Sequence, residues 1–118
     1  MNKEDLQRRT KRFGVDVIAL IRSLPSDAAA GHIGHQLIRS GTAVGANYRA
    51  SCRAKSKADF VSKMGTVEEE ADESVYWLEM LVDSQIVARK AVERLLDEGE
   101  QLLKIVVASI NTARGGSR

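Results

Sequence analysis

The chain has 118 residues, of which 43% are hydrophobic and 29% charged, with a single proline; this composition is typical of one folded domain and excludes a multidomain enzyme and a disordered chain. Aromatic residues make up only 4% of the chain, so an aromatic-lined cofactor pocket is not expected. The only cysteine, Cys52, has no partner for an internal disulfide, and neither a secretory segment nor an apolar run of the ~18 residues that a membrane span needs is present. We therefore expect a cytoplasmic protein without a cofactor.

The net charge of +2 conceals two neighbouring blocks of opposite charge. Residues 39–63 carry six basic groups and one acidic group, whereas residues 64–84 carry seven acidic groups and no Lys or Arg. Such blocks create local fields that a nearly neutral total does not reveal.

Apolar residues recur at helical spacing in four runs, and no alternation long enough for a strand is present. The first run extends from Leu6 to Leu24 and is closed by Pro25, whose ring cannot continue a helix. The second run starts at Ile33 and reaches Cys52. We expect the second helix to end near Ser56, because Ser56 and Asp59 have the spacing of a capping box that begins another helix.

The third run extends from Phe60 to Leu81 with a heptad-like repeat, and the fourth from Val92 to Ile110. Four amphipathic helices with short connections predict an all-α fold, an antiparallel up-down-up-down four-helix bundle. We expect residues 1–114 to form this single domain and residues 115–118 to be a disordered tail.

The predicted second helix carries a row of basic side chains on the side opposite Leu37 and Val44. Small residues such as Thr42 and Ala46 lie between the basic ones, so a phosphate backbone could approach the guanidinium groups closely. The predicted nucleic-acid-binding residues are Arg39, Arg49, Arg53 and Lys57. The alternative interpretation is a solvated or salt-bridged helix face.

Gly41 and Gly45 lie four residues apart in the same helix, where each costs up to ~1 kcal/mol relative to Ala. Close approach of a neighbouring helix would offset this cost, so we interpret the pair as a packing signal.

The predicted third helix places apolar side chains among carboxylates on the side away from its core stripe. An apolar patch of this kind is typical of a protein interface, so we predict self-association. The acidic helix of one subunit can then contact a basic face of the next, and such head-to-tail contacts close into rings. The predicted subunit-interface residues are Glu69, Glu73, Tyr76, Trp77 and Met80.

No pattern in the sequence favours metal binding or catalysis. The chain lacks the Glu-x-x-His pairs of di-iron bundles, and its two histidines, His32 and His35, have no second ligand pair. Cys52 is expected on the core side of the second helix, and Gly41-x-x-x-Gly45 lacks the Lys-Ser/Thr of a phosphate-binding loop. We predict no catalytic residue and no metal ligand.

Three segments carry a resemblance to a known family: residues 36–50, 53–60 and 67–79, which read QLIRSGTAVGANYRA, RAKSKADF and VEEEADESVYWLE. Together with Leu24-Pro25 and residues 109–114, they resemble the four-helix-bundle family of the protein encoded in intervening sequences of bacterial 23S ribosomal RNA. The resemblance implies a bacterial cytoplasmic bundle that assembles as a homopentameric ring. Related members are accessory proteins of diversity-generating retroelements, in which a basic pentamer engages nucleic acid and a reverse transcriptase. Many relatives carry an acidic residue just after the Asn that matches Asn47, whereas this chain has Tyr48 and Arg49.

Charge and resemblance together predict a non-enzymatic, homo-oligomeric bundle that binds RNA or another nucleic acid through its basic helix faces. Repetition of the basic faces round a ring would raise avidity without base readout. The alternative is a protein-interaction scaffold, in which the arginines pair with the acidic helix of the adjacent subunit and no nucleic acid binds. A small carboxylate-site enzyme is a third and weaker interpretation.

Overall fold

The computed structural model describes residues 1–115 and contains four α-helices. They are α1 (Lys3–Arg22), α2 (Ala28–Ser51), α3 (Lys57–Asp83) and α4 (Arg89–Ala113). No strand occurs within residues 1–115, which confirms the predicted all-α class. Gly115 lies in the turn that follows α4, with a positive φ of 77°; the rest of the predicted tail, residues 116–118, lies outside the described residues.

The helices pack in chain order, α1 on α2, α2 on α3 and α3 on α4, and a smaller contact between α1 and α4 closes the bundle. Contacts between α1 and α2 run in opposite order along the two helices, since Gly34 lies against Leu24 and Gly45 against Thr10. The packing is compatible with the predicted up-down-up-down arrangement. The bundle measures 45 × 25 × 20 Å.

Side-chain caps explain where three of the helices begin. Asn2 and Asp5 form a reciprocal capping box at α1, and Asp27 accepts a hydrogen bond from the Ala30 N–H at 2.9 Å at α2. At α3, Ser56 accepts from the Asp59 N–H at 3.0 Å, which confirms the predicted start. The Asp59 carboxylate accepts in turn from the Lys55 N–H at 2.9 Å rather than from Ser56.

The predicted end of the second helix was wrong by several residues. The helix α2 ends at Ser51 with Cys52 as its C-cap, so Arg53 lies in the connection and Lys57 is the first residue of α3. The cap explains the difference, because Ser56 must adopt extended backbone dihedrals (φ −160°, ψ 169°) before its side chain can reach α3. The four predicted basic residues therefore do not share one helix face.

The predicted apolar stripes meet in one core. Its fully buried members include Phe13, Leu37, Met64, Leu78 and Leu102. In α4, Leu96 is buried in this core, while Leu95 is only partly buried.

Glycines bring α1 and α2 unusually close together. A Cβ atom on Gly41 would lie 2.9 Å from a methyl group of Val17, and one on Gly45 would lie 3.2 Å from backbone atoms of Thr10 and Lys11. Both distances are shorter than ordinary van der Waals contacts, so larger residues do not fit without movement. The close approach predicted for this glycine pair is confirmed.

Candidate nucleic-acid interface

Basic side chains from α1, the end of α2, the α2–α3 connection and the start of α3 collect at the end of the bundle where α2 passes into α3. The end of α2 lies beside the first turns of α1, because Gly45 packs against Thr10 and Lys11. We call this group the basic end; all of its members are exposed, and they are Lys11, Arg49, Arg53, Lys55 and Lys57. Three of the four predicted nucleic-acid-binding residues therefore lie at one place.

The side chains of the basic end form no ion pair within residues 1–115, and Asp59 interacts with the charge of Lys55 only at longer range. Within residues 1–115, no carboxylate oxygen comes within 4.0 Å of a charged nitrogen of these five side chains. Lys63 marks the boundary of the group, because its Nζ lies 2.6 Å from Oδ1 of Asp59. Hydrogen bonds from Lys63 and from the Lys55 N–H lower the pKa of Asp59, which therefore stays ionised and compensates Lys63.

Arg39 has a different environment from the basic end. Its guanidinium forms an ion pair with Glu73 and a second one, at 3.4 Å, with Glu70, both on α3. The hydrogen bond with Glu73 raises the pKa of Arg39 and lowers the pKa of Glu73. Arg39 also precedes Arg49 by ten residues, or about 15 Å along the helix. The salt-bridged alternative thus describes Arg39, and the structure does not bring it to the basic end.

A groove of about 530 Å³ runs between α1 and α2 and opens at the basic end. Its floor includes Gly14, Thr42, Gly45 and Ala46, and its rim includes Arg8, Lys11 and Arg49, with Glu4 as the one acidic lining residue. The low surface predicted from Thr42 and Ala46 is part of this floor. We call it the α1–α2 groove.

Sequence reasoning missed the contribution of α1 to this surface. Arg8 and Lys11 lie in a segment of mixed charge, so composition does not distinguish them from other exposed residues. The available signal was Gly14, which marks the side of α1 that meets α2. A Cβ atom added at this position would lie 3.4 Å from the carbonyl oxygen of Gly41 and from Cα of Thr42.

The predicted subunit-interface patch is smaller than expected. Tyr76 is 51% exposed and Glu69 is exposed, but Trp77 and Met80 are half-buried against the core. Trp77 packs edge-on against His32 with ring centroids 6.0 Å apart, and its Nε1 donates to Oε2 of Glu73 at 3.2 Å. The placement of Trp77 on the outer face was wrong, because the one-residue step from Tyr76 turns the indole toward α2.

A second cleft, of about 790 Å³, lies between α1 and α4. Its charges are largely compensated: Arg9 binds Glu98 with two hydrogen bonds of 2.7 and 2.9 Å, and Arg12 pairs with Asp16 at 3.0 Å. The hydrogen bonds to Glu98 raise the pKa of Arg9. This cleft therefore presents less free positive charge than the basic end.

Residues 1–115 contain neither a candidate metal site nor a membrane-spanning helix. No group of three or more His, Cys, Asp or Glu side chains in this part of the chain could hold a metal ion. None of the four helices combines the length and the apolar character that crossing a membrane requires. The Cys52 side chain is partly buried at the C-cap of α2.

Comparison with known proteins identifies the family. The model of the 23S rRNA-intervening sequence protein family matches residues 3–108. The chain belongs to this family. A crystal structure described as a protein of unknown function from the S23 ribosomal protein family, from Bacteroides thetaiotaomicron VPI-5482, is 30% identical in sequence with a TM-score of 0.83. The match covers 89% of this chain and 97% of that chain.

No curated protein matches the chain. The match to the intervening-sequence family confirms the resemblance drawn from residues 36–79. Neither the family description nor that of the crystal structure names a catalytic activity.

Proposed function

We propose that this member of the intervening-sequence family is a non-enzymatic cytoplasmic protein that binds RNA or another nucleic acid through its basic end. The single observation that carries the proposal is the group of five exposed basic side chains, none of which has an ion-pairing carboxylate within residues 1–115. Bringing phosphates to these groups releases counterions and requires no internal ion pair to break.

The geometry favours backbone contacts over base readout. Arg49 stands beside a low floor of Gly45 and Ala46, so its planar guanidinium can approach a phosphate and bind two of its oxygens. Arg53 and Lys57 extend the same positive surface along the α2–α3 connection. Contacts of this kind fix position on the nucleic acid without reading its sequence.

The proposal includes a homo-oligomer, with the pentameric ring that the family resemblance implies. Each subunit would contribute one basic end, and repeated weak sites raise the overall avidity. A reverse transcriptase is a further partner that the resemblance suggests.

Charge reversal at two residues outside the α1–α2 groove tests the nucleic-acid part of the proposal. Affinity for a fluorescein-labelled RNA hairpin of about 30 nucleotides is measured by anisotropy at moderate salt. We expect the double substitution Arg53→Glu and Lys57→Glu to weaken binding at least about tenfold, because two phosphate contacts become repulsive.

The matched control reverses the same number of charges at the other end of the bundle, with Arg89→Glu and Lys90→Glu at the start of α4. Both residues are exposed, and their reversal changes the net charge by the same amount. The control should therefore show only the general effect of net charge, with an affinity within about twofold of the original. Equal losses in the two variants, or no binding by the original protein, would contradict the proposal. Protein purified without nuclease-sensitive absorbance near 260 nm and without affinity for the hairpin would favour the scaffold alternative.

A further inference from the structure

Two large apolar side chains on the helices are notably exposed, Val15 at 46% and Tyr76 at 51%. They lie on different sides of the bundle, since Val15 lines the α1–α2 groove and Tyr76 lies on the outer side of α3. Each is surrounded by charge of one predominant sign, and the two signs are opposite.

The surroundings of Tyr76 are acidic. The exposed acids before and after it along α3 are Glu69, Asp72, Glu79 and Asp83, which together with Tyr76 we call the acidic stripe. Within residues 1–115, none of these four carboxylates has an ion-pairing partner within 4.0 Å. The stripe extends from Glu69 to Asp83, or about 21 Å of helix.

The surroundings of Val15 are basic. The α1–α2 groove continues from Val15 and Ile18 toward Lys11, Arg8 and Arg49, with Glu4 at its far end. The groove runs from residue 4 to residue 18 of α1, again about 21 Å. The volume of the groove, about 530 Å³, is the space that side chains of another helix would enter.

We propose that the acidic stripe of one copy of this chain binds in the α1–α2 groove of the next. Tyr76 covers Val15 and Ile18, and a carboxylate of the stripe pairs with Lys11 at the rim. The inference rests on the homo-oligomeric part of the proposed function and names the two surfaces that would meet. Because the surfaces differ, the contact is heterologous and closes into a ring when the rotation between subunits allows it.

Arg53 and Lys57 lie outside the lining of the groove and stay available in such a ring. Arg49, at the mouth of the groove, would stand between the subunit contact and the nucleic-acid surface. The contact thus accounts for the acidic stripe, for which nucleic-acid binding alone offers no role.

A complementation experiment tests the pairing, with particle mass followed by size exclusion and light scattering. Val15→Glu places an acid opposite the acidic stripe, and Tyr76→Lys places a base opposite the groove. Both positions are about half exposed, so the substitutions should not disturb the core. The new Glu side chain lies four residues after Lys11 and the new Lys side chain four residues after Asp72, so each has an oppositely charged neighbour on its own helix. We expect each variant alone to shift to the mass of one subunit, 12.9 kDa.

An equimolar mixture of the two variants should form particles of at least two subunits, because the intact acidic stripe of Val15→Glu binds the intact groove of Tyr76→Lys. Ala108→Glu on the exposed side of α4 is the matched control and should keep the original mass. An unchanged mass for Val15→Glu or Tyr76→Lys, or a mixture that stays at one subunit, would overturn the pairing.

An original protein of one-subunit mass would overturn both the pairing and the homo-oligomer. The RNA affinity of the double variant Arg53→Glu, Lys57→Glu tests the nucleic-acid proposal separately. Failure of the subunit pairing and failure of the nucleic-acid proposal can therefore be distinguished. Circular dichroism of each variant confirms that a change in mass does not come from unfolding.

Discussion

The two halves of α2 carry the same kind of side chain in opposite circumstances. Arg39, in the first half, is held by Glu70 and Glu73 of α3, whereas Arg49, in the second half, is exposed and meets no carboxylate within residues 1–115. Exposure alone therefore does not identify a binding surface. The distinguishing property is whether the protein already compensates the charge.

The packing of α2 against α3 at one end and against α1 at the other explains the difference. The acidic second half of α3 lies beside the first half of α2, where the rings of His32 and Trp77 pack with centroids 6.0 Å apart. The second half of α2 instead meets α1 through Gly45 and passes into the basic start of α3. The basic block, residues 39–63, and the acidic block, residues 64–84, thus compensate each other near Arg39. At the α2–α3 connection the positive charge has no such compensation.

Breaking the close contact in the second half of α2 should have the largest effect on stability. In Gly45→Leu the new side chain meets the backbone of Thr10 and Lys11, which cannot rotate away, so the free energy of unfolding should fall by about 2–3 kcal/mol. Urea denaturation at neutral pH measures the change.

Gly65→Ala is the matched control, because nothing lies within 4 Å of a Cβ atom at that position in α3. Its free energy of unfolding should rise by about 0.5–1 kcal/mol through helix propensity alone. If Gly45→Leu were as stable as the original, the close approach of α1 and α2 would not be a requirement of the fold.

The compensated half of α2 should respond to acid more than the basic end does. Arg39 lowers the pKa of Glu73 below its ordinary value of 4.5, so this stabilisation is present above that pH and is lost as the pH falls through the folded-state pKa. Arg39→Gln removes the hydrogen-bonding guanidinium, and the stability should then decline less steeply below about pH 4.5.

Urea midpoints between neutral pH and about pH 3 measure this small effect. Asp59, whose pKa Lys63 also lowers, contributes equally to both proteins and cancels in the comparison. Arg49→Gln is the control and should follow the original curve. Parallel acid profiles for the original protein and Arg39→Gln would show that the ion pair adds nothing to stability.

Much of the fold could be predicted from the sequence, because it depends on patterns that are local. Three kinds of local feature specify a backbone or packing requirement that can be recognised from one segment alone. They are the apolar stripes through Phe13, Leu37 and Leu78, the Ser56 cap and the glycine pair. The end of α2 was misplaced because Arg53, Ala54 and Lys55 are compatible with a helix, whereas α2 ends at Ser51 and the chain runs through a connection to the extended N-cap Ser56 of α3.

The candidate interface could be predicted only in part. The charge blocks indicated the basic residues, but periodicity cannot show which of them meets an acid on another helix, so Arg39 and Arg49 looked alike. The orientation of Trp77 depends on its contacts with His32 and Glu73, which are set by the packing of α2 on α3. Lys11 lies at the basic end because α1 packs closely against α2, and the sequence pattern of a single helix does not show this packing.

The salt dependence of RNA binding tests the central claim most directly. Log affinity for the RNA hairpin is plotted against log salt concentration for the original protein, Arg49→Gln and Arg39→Gln. We predict a steep negative slope for the original protein and the same slope for Arg39→Gln. For Arg49→Gln the slope should be shallower by about 0.7–0.9 for each subunit whose Arg49 contacts a phosphate. A flat line for the original protein, or an equal loss of slope in both variants, would contradict the claim that uncompensated charge at the basic end binds nucleic acid.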